Sequence, residues 1–265
     1  MSFYFSSCSS SGQYADSYKF EKVFEDNFNS FDSTVWKRHY PGGTRTIWSN
    51  NEVQWYLENN VTVEKGILKL TAKKESVYGI DTENERQFEY TSGMICSPAS
   101  FLQTYGKWEI KVRFPYRNGY WPAFWLANIN KPGLPEIDIF EYFGRERNKI
   151  SMTQHWGIDY PNSNGGIYQG KSEPFYFVRT EEMTGKFDDQ WMIWSFECFP
   201  DRMLWKLNGK TVYESTEGVP TSPLYLIANV AMKDWTGKIF RNDQSILPYV
   251  MEIDYIRAYR LIPAD

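Results

Sequence analysis

Cysteine and histidine are scarce in this chain. Three cysteines (Cys8, Cys96, Cys198) among 265 residues give neither a disulfide framework nor the paired spacing of a zinc site. Two histidines, His39 and His155, leave little material for a transition-metal centre or a Ser-His-Asp triad, and no Gly-x-Ser-x-Gly elbow accompanies them. No apolar run approaches the ~18 residues of a membrane-spanning helix. Positive charge is not in excess: 29 Lys and Arg stand against 33 Asp and Glu, for a net charge of −4. That balance argues against a nucleic-acid partner, which needs a basic surface to neutralise phosphates. Helical periodicity is missing too, apart from a short turn expected in "RTEEMTG" (179–185), and there is no internal repeat or heptad.

Aromatic residues are abundant, with 11 Trp, 19 Tyr and 18 Phe. They suit the pleated surface of a sheet, and they also suit a groove lined with flat faces for a stacking ligand, sugar before bases. Strand signals dominate the chain. "GKWEIKVRFPY" places Trp108, Ile110, Val112 and Phe114 at period two, whereas "WMIWSFECFP" and "LYLIANVAM" read as central strands buried on both faces. "MLWKLNGKTVYES" is a hairpin whose Asn208-Gly209 turn suits type I′ geometry, with positive φ at both central residues. Many short antiparallel strands indicate an all-β sandwich or barrel. Its first and last strands, near Val23–Phe28 and Val250–Arg260, are expected to lie together. One domain over 20–265 follows an N-terminal tail over 1–19. In that tail small residues lead into Cys8 and a Ser/Gly tether. The pattern fits either a lipid-anchored cysteine of the bacterial lipoprotein type or a plain disordered segment.

One stretch does not fit a simple strand. "PEIDIFEYFG" (135–144) carries Glu136, Asp138 and Glu141 among Ile137, Ile139 and Phe140. Residues i and i+2 share a strand face, so regular alternation would turn Glu141 toward the aliphatic side, an expensive place for an unpaired carboxylate. A β-bulge between Asp138 and Glu141 resets the alternation and aligns all three acids. Aligned acids repel, so at least one must keep its proton near neutral pH. That division of labour is what glycoside hydrolysis by a carboxylate pair requires. "MEIDYIRAY" supplies an internal control: it repeats Glu252-Ile-Asp254 but has Arg257 where the third acid would stand. On the residues alone, catalysis, a cation site and a solvated strand all remain open.

"EIDIFE" resembles the Glu-x-Asp-x-x-Glu signature of glycoside hydrolase family 16, in its bulge-containing (laminarinase- and agarase-like) branch. The flanking segments "WSNNEVQWY", "YGKWEIKVRFPYRNGYWPAFWLA", "QHWG" and "LYLIANVAMKDWTG…YVMEIDYIRAYR" extend the similarity from about Phe20 to Leu261. The resemblance implies a β-jelly-roll sandwich of two antiparallel sheets with a concave sugar cleft. By position it makes Glu136 the nucleophile, Glu141 the general acid and then base, and Asp138 the residue tuning the nucleophile, with retained stereochemistry. It further implies Trp121, His155, Trp156, Asn51, Glu52, Asn229 and Trp235 as substrate-binding residues, with Trp121 in the cleft and Trp125 in the core. A structural calcium near Glu25, the Gly66 carbonyl and Asp254 also follows from it; no cofactor is required for the chemistry. The implied protein is an extracytoplasmic bacterial monomer acting on a polysaccharide, most simply a β-1,3- or mixed-linkage glucan. Lys131 and Pro135 stand where laminarinases usually have Trp and Gly, and Met94 where they often have Arg. Agar-, porphyran- or carrageenan-type galactans are the alternative, with Arg117, Lys131, Arg145 and Arg147 as candidate cations. A carbohydrate-binding module without chemistry is the non-enzymatic alternative.

Overall fold

A computed structural model describes residues 17–81, 84–98, 100–129, 134–146, 148–157, 176–236 and 247–264. Cys8, Lys131 and Arg147 fall outside them. The first eight strands are β1 (Tyr18–Asp26), β2 (Gln54–Tyr56), β3 (Val61–Glu64), β4 (Ile67–Asp81), β5 (Asn84–Ser92), β6 (Met94–Cys96), β7 (Gly106–Arg113) and β8 (Tyr120–Asn128). The rest are β9 (Glu136–Glu141), β10 (Lys149–Gly157), β11 (Tyr176–Thr184), β12 (Met192–Cys198), β13 (Met203–Leu207), β14 (Lys210–Ser215), β15 (Leu224–Met232) and β16 (Tyr249–Pro263). Among the described residues the only helical pieces are short 3₁₀ turns, and no helix is long and apolar enough to cross a membrane.

Ten strands form one sheet, in the order β14-β13-β12-β7-β16-β4-β5-β2 with β1 on β16 and β3 on β4. Six form the other, in the order β11-β10-β9-β8-β15-β6. The two pack face to face as the expected jelly-roll sandwich. The core between them mixes aliphatic with many aromatic side chains: Phe140 of β9 stacks on Phe114 at 5.6 Å and meets Trp194 of β12 at 5.6 Å. β1 pairs antiparallel with β16, as expected for the first and last strands. That pairing starts at Tyr18, so the fold takes in two residues assigned to the tail. The hairpin turn also stands as expected, with φ of 50° at Asn208 and 80° at Gly209. The turn expected in 179–185 is instead part of β11, paired along its length with β10. It is an edge strand, so it lacks the two-sided apolar pattern by which the central strands are read.

Candidate active site

The out-of-step acid is resolved by a bulge. On one side, Phe124 of β8 faces Phe140 and the next residue, Trp125, faces Asp138. On the other side Ser151 of β10 faces Glu141, and Thr153 faces Asp138. The extra residue in β9 lets Ile137, Ile139 and Phe140 all enter the core, fully buried. The bulge leaves the Asp138 carbonyl to the interior, where the buried Trp205 indole of the opposite sheet donates to it at 3.0 Å. An orphaned backbone oxygen is thereby satisfied across the sandwich.

Glu136, Asp138 and Glu141 consequently share the outer face of the six-stranded sheet and line one cavity of about 420 Å³. Neighbouring strands leave room above them. Ala123 of β8 lies opposite Glu141, and Ala127 opposite Glu136. Trp121 and Trp125, on the same face of β8, line the cavity as well. Such indole faces with small residues between them suit the flat apolar faces of a sugar chain.

Each acid has a distinct set of partners. Glu141 accepts from Trp121 Nε1 at 3.0 Å on Oε1 and from Thr153 Oγ1 at 3.2 Å on Oε2. Its carboxyl also shares a hydrogen bond with Asp138. His155 Nε2 stands 3.3 Å from Asp138 Oδ2 and 3.5 Å from Glu136 Oε1. Glu136 is the most open of the three, its side chain 25% exposed against 6% for Asp138.

All three carboxyls are held above the ordinary carboxylate range, chiefly because their charged forms lose water. Desolvation pushes Asp138 up to about 8, against the pull of its hydrogen bond with Glu141. Glu141 is raised by burial and then by the Asp138 charge; Trp121, His155 and Thr153 draw it back. Glu136 is raised by burial and by Asp138, with His155 opposing. All three are raised, so the face holds protons near neutral pH, and Glu136 is the carboxyl most open to solvent and substrate. An open carboxyl and a buried one that holds its proton thus line the same cavity.

The other residues implied by the sequence fare unequally. Glu52 lines the cavity, buried, accepting from Gln54 Nε2 at 2.6 Å and Asn50 Nδ2 at 3.2 Å, and desolvation pushes its pKa up to about 7. Asn51 does not line it: the chain turns through φ 54° there and presents Asn50 instead. Asn229 lines the cavity, but its amide is spent inside the protein, accepting from Trp125 Nε1 at 2.8 Å and donating to Tyr56 Oη at 2.9 Å. Trp125, expected in the core, belongs to the cleft wall. Four residues on from Trp121 along the same strand, it shares that residue's face. Trp156 is turned away because consecutive strand residues face opposite ways. It covers Gly218, where an added Cβ would come within 2.4 Å of the indole, and borders a separate small cavity. Trp235 lies in the turn beyond β15 and is not among the lining residues. Thr153 and Asn50 were missed; Thr153 was readable as the residue two before His155 on the same strand face.

The carboxylates implied for calcium are already engaged by cations. Asp254 takes Lys111 Nζ at 2.6 Å, and Glu25 takes Arg257 Nε at 2.6 Å and Lys22 Nζ at 2.8 Å. These side chains do not present the all-oxygen shell that calcium requires. Among the described residues, Glu136, Asp138 and His155 are the one group whose potential ligand atoms lie within 4.8 Å of one another. Arg117 pairs with Asp188 at 3.8 Å, and Arg145 lies over the Phe143 ring beside Trp121.

Comparison with known proteins gives one consistent result. The family model described as "Glycosyl hydrolases family 16" matches residues 49–257. The endo-1,3-1,4-beta-glycanase EglC of Rhizobium meliloti is 29% identical over 91% of this chain, which spans 52% of that protein. The keratan-sulfate endo-1,4-beta-galactosidase of Sphingobacterium multivorum is 30% identical over 91% of the chain, which spans 56% of it. The chain thus covers about half the length of these relatives. The laminarinase catalytic domain of Thermotoga maritima superposes with a TM-score of 0.72 at 27% identity, covering 91% of this chain and 98% of that one.

Proposed function

Since the chain belongs to glycosyl hydrolases family 16, we propose that it is an endo-acting, retaining glycoside hydrolase whose substrate is a β-1,3- or mixed-linkage β-1,3/1,4-glucan. The observation that carries the reading is the bulge, which sets two glutamates and an aspartate on the floor of a tryptophan-walled cleft. Glu136 attacks the anomeric carbon while Glu141 protonates the departing glycosidic oxygen, leaving a glycosyl-enzyme ester. Glu141, now ionised, takes a proton from water as that water attacks the anomeric carbon, and Glu136 is released. Asp138 lies between them and governs how readily each gives up its proton. The name of the Thermotoga laminarinase supports a glucan, and that of EglC a β-1,3- and β-1,4-linked glycan. A polymer of that size is met outside the cytoplasm, and the reaction belongs there.

A second reading, a β-linked galactan, is favoured by the 30% identity to the keratan-sulfate galactosidase and by Lys131, Pro135 and Met94 at positions where laminarinases differ. Release of reducing ends from laminarin, lichenan, agarose, porphyran, carrageenan and keratan sulfate separates the two. Turnover on the first two alone supports the glucan. Turnover confined to the others replaces it with the galactan, and none on any of the six removes both. With the best polymer, Glu136→Gln is expected to lower kcat on the order of 10⁴-fold or more while the protein still binds the polymer. A pure binding module would show no turnover in either form.

A further inference from the structure

Glu141 has two oxygens, and the fold treats them differently. Trp121 Nε1 points at Oε1 at 3.0 Å. An indole N–H can only donate, so Oε1 must accept, and because the C=O oxygen of a protonated carboxyl is the stronger acceptor, this contact favours the proton on Oε2. Oε2 faces partners that work in either direction. Thr153 Oγ1 lies 3.2 Å from it, and Thr180 Oγ1 lies 3.2 Å from Thr153 with either atom able to donate. When Oε2 carries a proton, the threonine hydroxyls can turn outward along this pair; when it is ionised, Thr153 can donate to it. Asp138 supplies a further acceptor beside the same carboxyl. The charged and titratable groups around Glu141 are thus Asp138 and His155, with Glu136 beyond them. Lys233 flanks the Trp121 ring at 5.8 Å, and Phe143 packs on that ring at 4.8 Å, fixing its plane.

We propose that Trp121 is a positioning residue that confines the transferable proton of Glu141 to Oε2. This rests on the hydrolase reading above, but it gives Trp121 a task beyond stacking on a sugar. In the first step the Oε2 proton passes to the glycosidic oxygen, which keeps the electron pair of the breaking C–O bond. In the second, Oε2 recovers a proton from water as the water oxygen bonds to the anomeric carbon. Trp121 also steadies the ionised form of Glu141 between the two steps, and it touches the acid rather than the bond being broken.

The test separates acid catalysis from sugar binding. Two aryl glycosides of the same oligosaccharide are compared, one with a poor leaving group that needs protonation and one with a dinitrophenyl group that does not. Trp121→Phe keeps a ring against Phe143 and removes the N–H. Its kcat/KM for the poor leaving group is expected to fall about 10- to 100-fold, with a much smaller fall for the dinitrophenyl glycoside. The alkaline limb of its pH profile should move to higher pH, because the ionised acid has lost a donor. If Trp121→Phe does not fold, benzothienylalanine placed at 121 removes the same N–H and keeps the bicyclic ring. Equal losses on both glycosides, carried by KM with an unmoved alkaline limb, would overturn the proposal and leave Trp121 a stacking residue. Glu141→Gln run on the same pair and read as kcat/KM, which reports only the first step, marks the other failure: if it too loses both substrates equally, Glu141 is not the acid, and the assignment of roles fails before Trp121 is at issue.

Discussion

Three carboxyls held on one face raise one another's proton affinity, and the direction of each effect can be tested residue by residue. The Asp138 charge raises both Glu136 and Glu141. Asp138→Asn should therefore shift both limbs of the kcat/KM pH profile toward lower pH, where the wild type is limited by its charged neighbour. An unmoved profile would mean that Asp138 does not couple to either glutamate. Glu141→Gln is expected to lower polymer turnover about 10²- to 10⁴-fold, the usual worth of a general acid. At this scale the sequence was informative about charge and poor about direction. Glu136, Asp138 and Glu141 were legible from their types and spacing, whereas Trp121 and His155 followed from the family resemblance; all five line the cavity. Asn51 and Trp156 were displaced by one residue from the cleft-lining Asn50 and His155, since a local φ and a strand face decide which neighbour points inward.

The unit that matters at the level of elements is β9 with its bulge. Deleting Ile139 would leave Glu-Ile-Asp-Phe-Glu, a strict alternation that again sets all three acids on one face. That variant is expected to fold and retain measurable turnover, weakened by about 2–5 kcal/mol for the lost core side chain, as read from thermal unfolding. Deleting both Ile139 and Phe140 leaves the last acid out of phase and should abolish turnover. If the single deletion is as inactive as the double one in a folded protein, face alignment alone does not make the site. Trp205→Phe, which takes the indole donor from the Asp138 carbonyl, should cost about 1 kcal/mol of stability. The bulge was legible because Glu141 broke the alternation around it, and the β13–β14 hairpin because Asn208-Gly209 admits positive φ. β11 was not, because an edge strand carrying Arg179, Glu181 and Glu182 shows no apolar period.

Across the whole molecule, the cleft stores charge that the fold would rather keep neutral. Asp138 sits at about 8 from an ordinary 3.8, and Glu52 at about 7 from 4.5. Both folded values are raised, so the folded chain binds more protons than the unfolded one between roughly pH 4 and 8. The associated stability is fully present below the unfolded values and is lost as pH rises through the folded ones. Melting temperature should accordingly fall between pH 5 and pH 8.5, and Glu52→Gln should flatten the slope over pH 4.5–7. Glu141→Gln should raise it at pH 8 by about 2–4 °C for each kcal/mol of relieved charge burial, the usual opposition of stability and function. A melting temperature that rises over this range would show the acids to be solvated. Strand periodicity left a sandwich or a barrel and the family resemblance supplied the two sheets, whereas the order of strands within each sheet was not legible, because it depends on long-range pairings such as β7 with β16. The most direct measurement is to trap the intermediate with a 2-deoxy-2-fluoro glycosyl fluoride of the preferred oligosaccharide and find the labelled residue by peptide mass. The expected result is one adduct, on Glu136. An adduct on Glu141 or Asp138, or turnover of the parent polymer with inverted anomeric configuration, would contradict the assignment of nucleophile and acid on which everything else depends.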